Sequence, residues 1–156
     1  MSTIQATTER VQKRATEVLA SYSIPMLRVS LGLVFLIFGS LKFVPGASPA
    51  EDLVVRTFDS LSLGFVNGEV ALAITAVAEC FIGLTLITGK YLRAGLAVLA
   101  GSMVGIMSPL VLFFPDLIAG GPTLAGQYVI KDIVLVAAGF VVAARTLGAR
   151  LVVERA

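Results

Sequence analysis

Apolar residues fall into four long runs, at 24–43, 69–88, 92–114 and 128–144, with polar or helix-breaking positions between them. A membrane-spanning helix takes about 20 mostly apolar residues, with a lower limit near 17 that the fourth run just reaches. Lys90 and Arg93 separate the second run from the third, and Pro115-Asp116 with Gly120-Gly121-Pro122 separate the third from the fourth. The pattern predicts an all-α fold, an integral membrane four-helix bundle in a single domain over 1–156, with a leader at 1–22 and a tail at 145–156. Pro109 is expected to kink the third span.

The flanking pieces carry a shorter period. Val11, Ala15, Val18 and Tyr22 recur at helical spacing, which predicts a short amphipathic surface helix before the first span. Ser48-Pro49-Ala50-Glu51 reads as a capping box with proline at the first helical position. The stripe of Leu53, Val54, Phe58 and Leu61 behind it predicts a second short helix lidding the bundle. The loop PDLIAGGPTLAGQ is apolar enough to dip back toward the bundle.

Composition moves the reading from helical to membrane-embedded. The chain is 57% hydrophobic and 14% charged, against roughly 45–50% and 25% for a soluble domain. A net charge of +2, scattered along the chain, offers no nucleic-acid surface. Arg10, Lys13, Arg14, Lys90, Arg93, Arg145, Arg150 and Arg155 gather on one side if both termini are cytoplasmic, whereas Lys42, Arg56 and Lys131 fall toward the other. The positive-inside rule therefore predicts cytoplasmic termini, with Tyr22, Tyr91 and Tyr128 marking span ends. The first apolar run is too long, and its leader too extended, for a cleaved signal peptide.

The residues missing from the chain limit its chemistry. With no histidine, His-held haem, His-ligated zinc and Ser-His or Cys-His catalysis are excluded. The single Cys80 supplies no dithiol. No metal centre and no covalent cofactor is expected, so any electrons must travel on a bound small molecule or a partner subunit. Cys80 reads as a small buried hydrophobe.

The candidate chemistry lies in charges inside the spans. Such groups cost about 2.5–3.5 kcal/mol each at mid-span and usually face the bundle interior. Glu79 is the only charge between Val70 and Gly89 and sits near mid-span. Arg28 lies about 8 Å from the midplane on one side and Lys131 about 7 Å on the other, at 1.5 Å per residue. Either cation is a candidate partner for Glu79 by snorkelling, and Lys42 with Asp132 is a second candidate pair nearer the outer boundary. Arg28 and Lys42 also suit the plainer role of snorkelling anchors. Arg28, Gly32, Phe35, Gly39 and Lys42 share one helical stripe, and Thr75, Ala76, Glu79 and Gly83 share another. Small residues let membrane helices approach closely, so these faces are expected to meet, with Ala97, Gly101 and Gly105 as a further packing seam. Glu79 then reads equally as half of a structural ion pair or as a functional acid.

LGLVFLIFGSLKFVPG, AECFIGLTLITGKYLRAG and GQYVIKDIVLVAAG resemble the three signature regions of the DoxX-like membrane proteins, especially their YkgB-type branch. The shared features are Gly39 with Lys42 and Phe43, Glu79 with Gly83, and Lys131 with Asp132. Gly126-Gln127-Tyr128 departs from the Gly-Arg-Phe of that branch, so position 127 carries no cation. The resemblance implies a multi-pass protein of the bacterial inner (plasma) membrane. Some family members are named as subunits of a thiosulfate–quinone oxidoreductase, and others are associated with oxidative stress.

Three functions remain open at this point. The first is an accessory or ligand-binding subunit of a quinone-linked or stress-related system. It would hold a quinone or lipid-like molecule near Glu79 and Lys131, with Arg28 and Asp132 in support. The second is a proton-coupled carrier of a small solute, working as a homo-oligomer. The third is a membrane scaffold that recruits a partner into a larger complex.

Overall fold

The computed structural model describes residues 3–152, with the backbone alone at positions 3, 4 and 6. Arg155 and the end of the tail lie outside the described residues. Among the described residues seven helices follow in chain order: α1 (Thr3–Leu41), α2 (Glu51–Ser62), α3 (Gly68–Thr88), α4 (Leu92–Met107), α5 (Pro109–Leu112), α6 (Phe114–Leu117) and α7 (Leu124–Thr146). Within the described residues four helical stretches are long and apolar enough to cross a membrane: 7–41, 68–88, 92–112 and 124–146. The described residues contain no strand, so the all-α membrane bundle expected from the hydrophobic pattern is the observed architecture.

The leader is no separate element. From Thr3 onward it forms the first half of α1, which runs unbroken through Pro25. At 1.5 Å per residue its 39 residues extend about 58 Å, roughly twice a hydrocarbon core. Val11, Val18 and Tyr22 stay exposed along that extension rather than packing on the bundle.

Local chemistry places the helix ends. Asn67 Oδ1 accepts from Val70 N–H at 2.9 Å to start α3, and Thr123 Oγ1 accepts from Gly126 N–H at 3.1 Å to start α7. Each satisfies a backbone donor that the first turn leaves without a partner. The expected capping box does not form. The helix begins at Glu51, whose carboxylate reaches back to Gly46 N–H at 2.8 Å, while Ser48 contributes its carbonyl to Glu51 N–H. Proline at 49 thus lies in the turn before the helix and not at its first position. Ser108-Pro109 breaks the third span as expected, dividing α4 from α5.

The interior joins all four spans through Leu31 and Phe35 of α1, Ile82 and Leu86 of α3, Leu99 of α4, and Ala138 and Val142 of α7. Outward-facing Ile37, Val77, Phe81, Val104, Val134 and Phe140 make an apolar coat suited to lipid. Helices α1 and α3 pack closely along a seam of glycines. A Cβ built on Gly39 would stand 2.8 Å from Glu79 Cβ, and one on Gly83 would stand 2.7 Å from Leu36 Cβ. Only glycine permits that separation. Gly32 has the same role one step along, against Leu86 and Ile87. The seam expected on the third span is different. Gly101 and Gly105 have no atom within 4 Å of where a Cβ would stand, because they border open space rather than a neighbouring helix.

Candidate functional site: a charged cavity beneath α2

The α1–α3 register decides which cation meets Glu79. Gly39 lies against Glu79 and Cys80, Gly32 against Gly83 and Leu86, and Arg28 against Gly89. Lys42 is therefore less than one turn beyond Glu79 in this antiparallel pair, and its stem runs back along α3. Its Nζ stands 2.7 Å from Glu79 Oε2 and 3.4 Å from the Phe38 carbonyl oxygen. Both side chains are withdrawn from solvent, at 3% and 11% exposure. Paired burial of this kind is how a charge persists in an apolar medium.

Glu79 is thus paired with Lys42, and neither Arg28 nor Lys131 reaches it. Arg28 is packed against Gly89, the last-turn cap of α3, about 15 Å along the helix from Glu79. A guanidinium there complements the negative end of the helix dipole. Lys131 is exposed, with its ammonium 4.2 Å from the centroid of the Tyr128 ring. Lys42 and Asp132 form no ion pair, since Lys42 is committed to Glu79.

The ion pair forms part of the wall of a cavity of about 470 Å³ between α1, α3, α4 and α7, covered by α2. Its lining from α7 follows a helical stripe of Tyr128, Asp132 and Leu135. Adjacent helical residues point about 100° apart, so turning Asp132 inward turns Lys131 away. Tyr128 also faces this space, meeting Phe38 edge-on with ring centroids 6.2 Å apart. On α4 the lining is Val98, Gly101, Ser102 and Gly105, again at helical spacing, with Pro109 following at the start of α5. Gly101 and Gly105, with no side chains to project, leave the space that a packing seam would have filled. Cys80 lies half-buried beside Gly39 and outside the lining.

Helix α2 closes the cavity with Leu53, Val54, Thr57 and Phe58, which bears out the lid expected from its apolar stripe. Leu61, also expected in that stripe, is exposed. A surface clasp holds the lid to α6, at the start of the 115–127 loop expected to dip back. Arg56 Nη2 donates to Asp116 Oδ2 at 2.8 Å, and its guanidinium carbon lies 4.5 Å from the Phe113 ring centroid. That loop does dip back: Leu117 is buried, and its carbonyl accepts from Thr123 N–H at 2.9 Å.

Of the charged candidates, the cavity gathers Lys42, Glu79 and Asp132 and leaves out Arg28 and Lys131. It adds hydroxyls from Thr57, Thr75, Ser102 and Tyr128, of which only Thr75 shared a stripe expected to face inward. No group of three or more potential metal ligands occurs among the described residues.

The DoxX family model matches residues 23–116, more than half of the chain, and covers Lys42, Glu79 and the lid. The chain belongs to the DoxX family. It is a membrane protein of that family, and its α7, with Asp132, lies beyond the matched stretch. No curated protein and no solved structure matches this DoxX chain.

Proposed function

We propose that this DoxX protein is an accessory, ligand-binding subunit of a quinone-linked or oxidative-stress-related system in the bacterial inner membrane. In this reading it belongs to the YkgB-type branch, has both termini in the cytoplasm, and works within a larger membrane complex. The observation that carries the proposal is the cavity with a buried ion pair in its wall. Its volume lies in the range of small-molecule sites, which are largely apolar with a few fixed polar groups. Lys42 has one proton left after serving Glu79 and the Phe38 carbonyl. That proton suits a carbonyl oxygen of a quinone-like ring seated among Phe35, Phe38 and Tyr128. Without histidine or a dithiol, the chain's own contribution is to bind and orient, and the redox chemistry belongs to the ligand or partner.

The test is binding of a short-chain quinone to the protein in nanodiscs, compared across wild type, Glu79→Gln and Gly101→Leu. Both variants are expected to weaken binding, the first by releasing Lys42 and the second by filling the space beside Gly101. Equal binding by all three at matched expression, with an unchanged growth phenotype under oxidant, would refute the proposal.

A further inference from the structure

The ion pair leaves one charged group in the cavity wall unused. Three charged side chains line the space, and Lys42 with Glu79 cancel at 2.7 Å. Asp132 remains. Among the described residues it forms neither a hydrogen bond nor an ion pair, and its neighbour Lys131 is drawn onto the outer side of Tyr128. The lining therefore carries one carboxylate with no directly bonded partner among the described residues, in a site walled mostly by apolar side chains. Removing a charge from water is costly unless a counter-ion or donor replaces the lost hydration.

Two of the four hydroxyl-bearing residues in the lining point the same way. The Thr57 and Thr75 hydroxyls donate to the carbonyls of Leu53 and Ala71, at 2.6 and 2.8 Å, and so offer only lone pairs to the cavity, while those of Ser102 and Tyr128 can donate or accept. Lys42 spends two of its three protons on Glu79 and Phe38. Acceptors are in surplus. Phe35, Phe38, Phe58 and Tyr128 present ring faces or edges to the same space, and ring faces attract cations.

We propose that this cavity takes a monovalent organic cation with an apolar body, an amine or amidine head lying against Asp132 and the rings. The proposal shares with the quinone reading only the premise that the cavity holds a ligand. It makes Asp132, which that reading uses only in support, the principal contact.

The test uses three probes with one body and different heads: 4-phenylbutylamine, 4-phenylbutanol and 4-phenylbutyrate. Each is titrated calorimetrically against the full chain in zwitterionic nanodiscs, with empty nanodiscs subtracted. The amine is expected to bind at least ten-fold more tightly than the alcohol, and the carboxylate not at all. Asp132→Asn should reduce amine affinity to that of the alcohol and leave the alcohol unchanged. Asp132→Glu should keep the preference, which separates lost charge from lost fold. Equal binding of amine and alcohol by wild type, or a preference surviving Asp132→Asn, overturns the proposal. If short-chain quinone still binds in that case, the cavity reading stands and only the cationic assignment falls. If neither quinone nor any of the three probes binds, both fall together.

Discussion

Neutralising both partners of the Lys42–Glu79 pair should cost clearly less than the sum of the two single neutralisations. At 2.7 Å and an effective dielectric of about 20, the Coulomb attraction is about 6 kcal/mol. Desolvation of two buried ions opposes it by several kcal/mol each. Removing one partner forfeits the attraction and strands the other charge, a loss of about 3–5 kcal/mol. Lys42→Met and Glu79→Gln should each show it, and the double variant should be much less destabilised than their sum. Reversible unfolding in mixed dodecylmaltoside–SDS micelles, followed by circular dichroism, gives the four free energies of the cycle. A coupling of about 2–3 kcal/mol is expected, near the top of the range for contacting residues. Neutral side-chain contacts in membrane helices average only about 0.6 kcal/mol. A coupling of that size or smaller would refute a buried ionic pair.

Further outcomes follow from the same geometry. Gly39→Leu should separate α1 from α3 and destabilise by at least the 1–3 kcal/mol or so typical of overpacking, whereas Gly101→Leu should unfold at nearly the wild-type SDS fraction. Arg28→Gln should lose roughly 0.3–1 kcal/mol of helix-end stabilisation, with quinone and amine binding unchanged by calorimetry. Lys131→Ala should likewise leave binding unchanged, because its side chain is exposed and outside the lining. Arg56→Ala should cost no more than about 1 kcal/mol, as exposed pairs do, yet speed ligand exchange by loosening the lid, which stopped-flow displacement would detect.

The four-span architecture was legible because a long apolar run has few alternatives to a spanning helix. The stripe through Gly32, Phe35, Gly39 and Lys42 was also legible, and it faces α3 as its spacing implied. The partner of Glu79 was not. Depth in separate spans says nothing about interhelical register, and a shift of a few residues decides among Arg28, Lys42 and Lys131. Here the glycine contacts set that register and select Lys42. On α7 depth alone does not separate Lys131 from its neighbour Asp132. The spacing of Tyr128, Asp132, Leu135 and Gly139 marks a single face, as the α1 stripe does, and that face turns Lys131 outward. Gly101 and Gly105 illustrate the limit of composition. The same small residues make a seam where a neighbour is close and a void where it is not. The lid was foreseeable from its apolar stripe, but its clasp between Arg56 and Asp116, sixty residues apart, was not.

The most direct test of the account is solid-state NMR on the protein in bilayers, with 15N-labelled lysine and 13C-labelled glutamate and assignment through Lys42→Met and Glu79→Gln. A strong dipolar coupling between Lys42 Nζ and Glu79 Cδ, as expected for atoms in direct contact, is the result the account predicts. Absence of that coupling, with Glu79 correlated instead to lipid acyl protons, would contradict it.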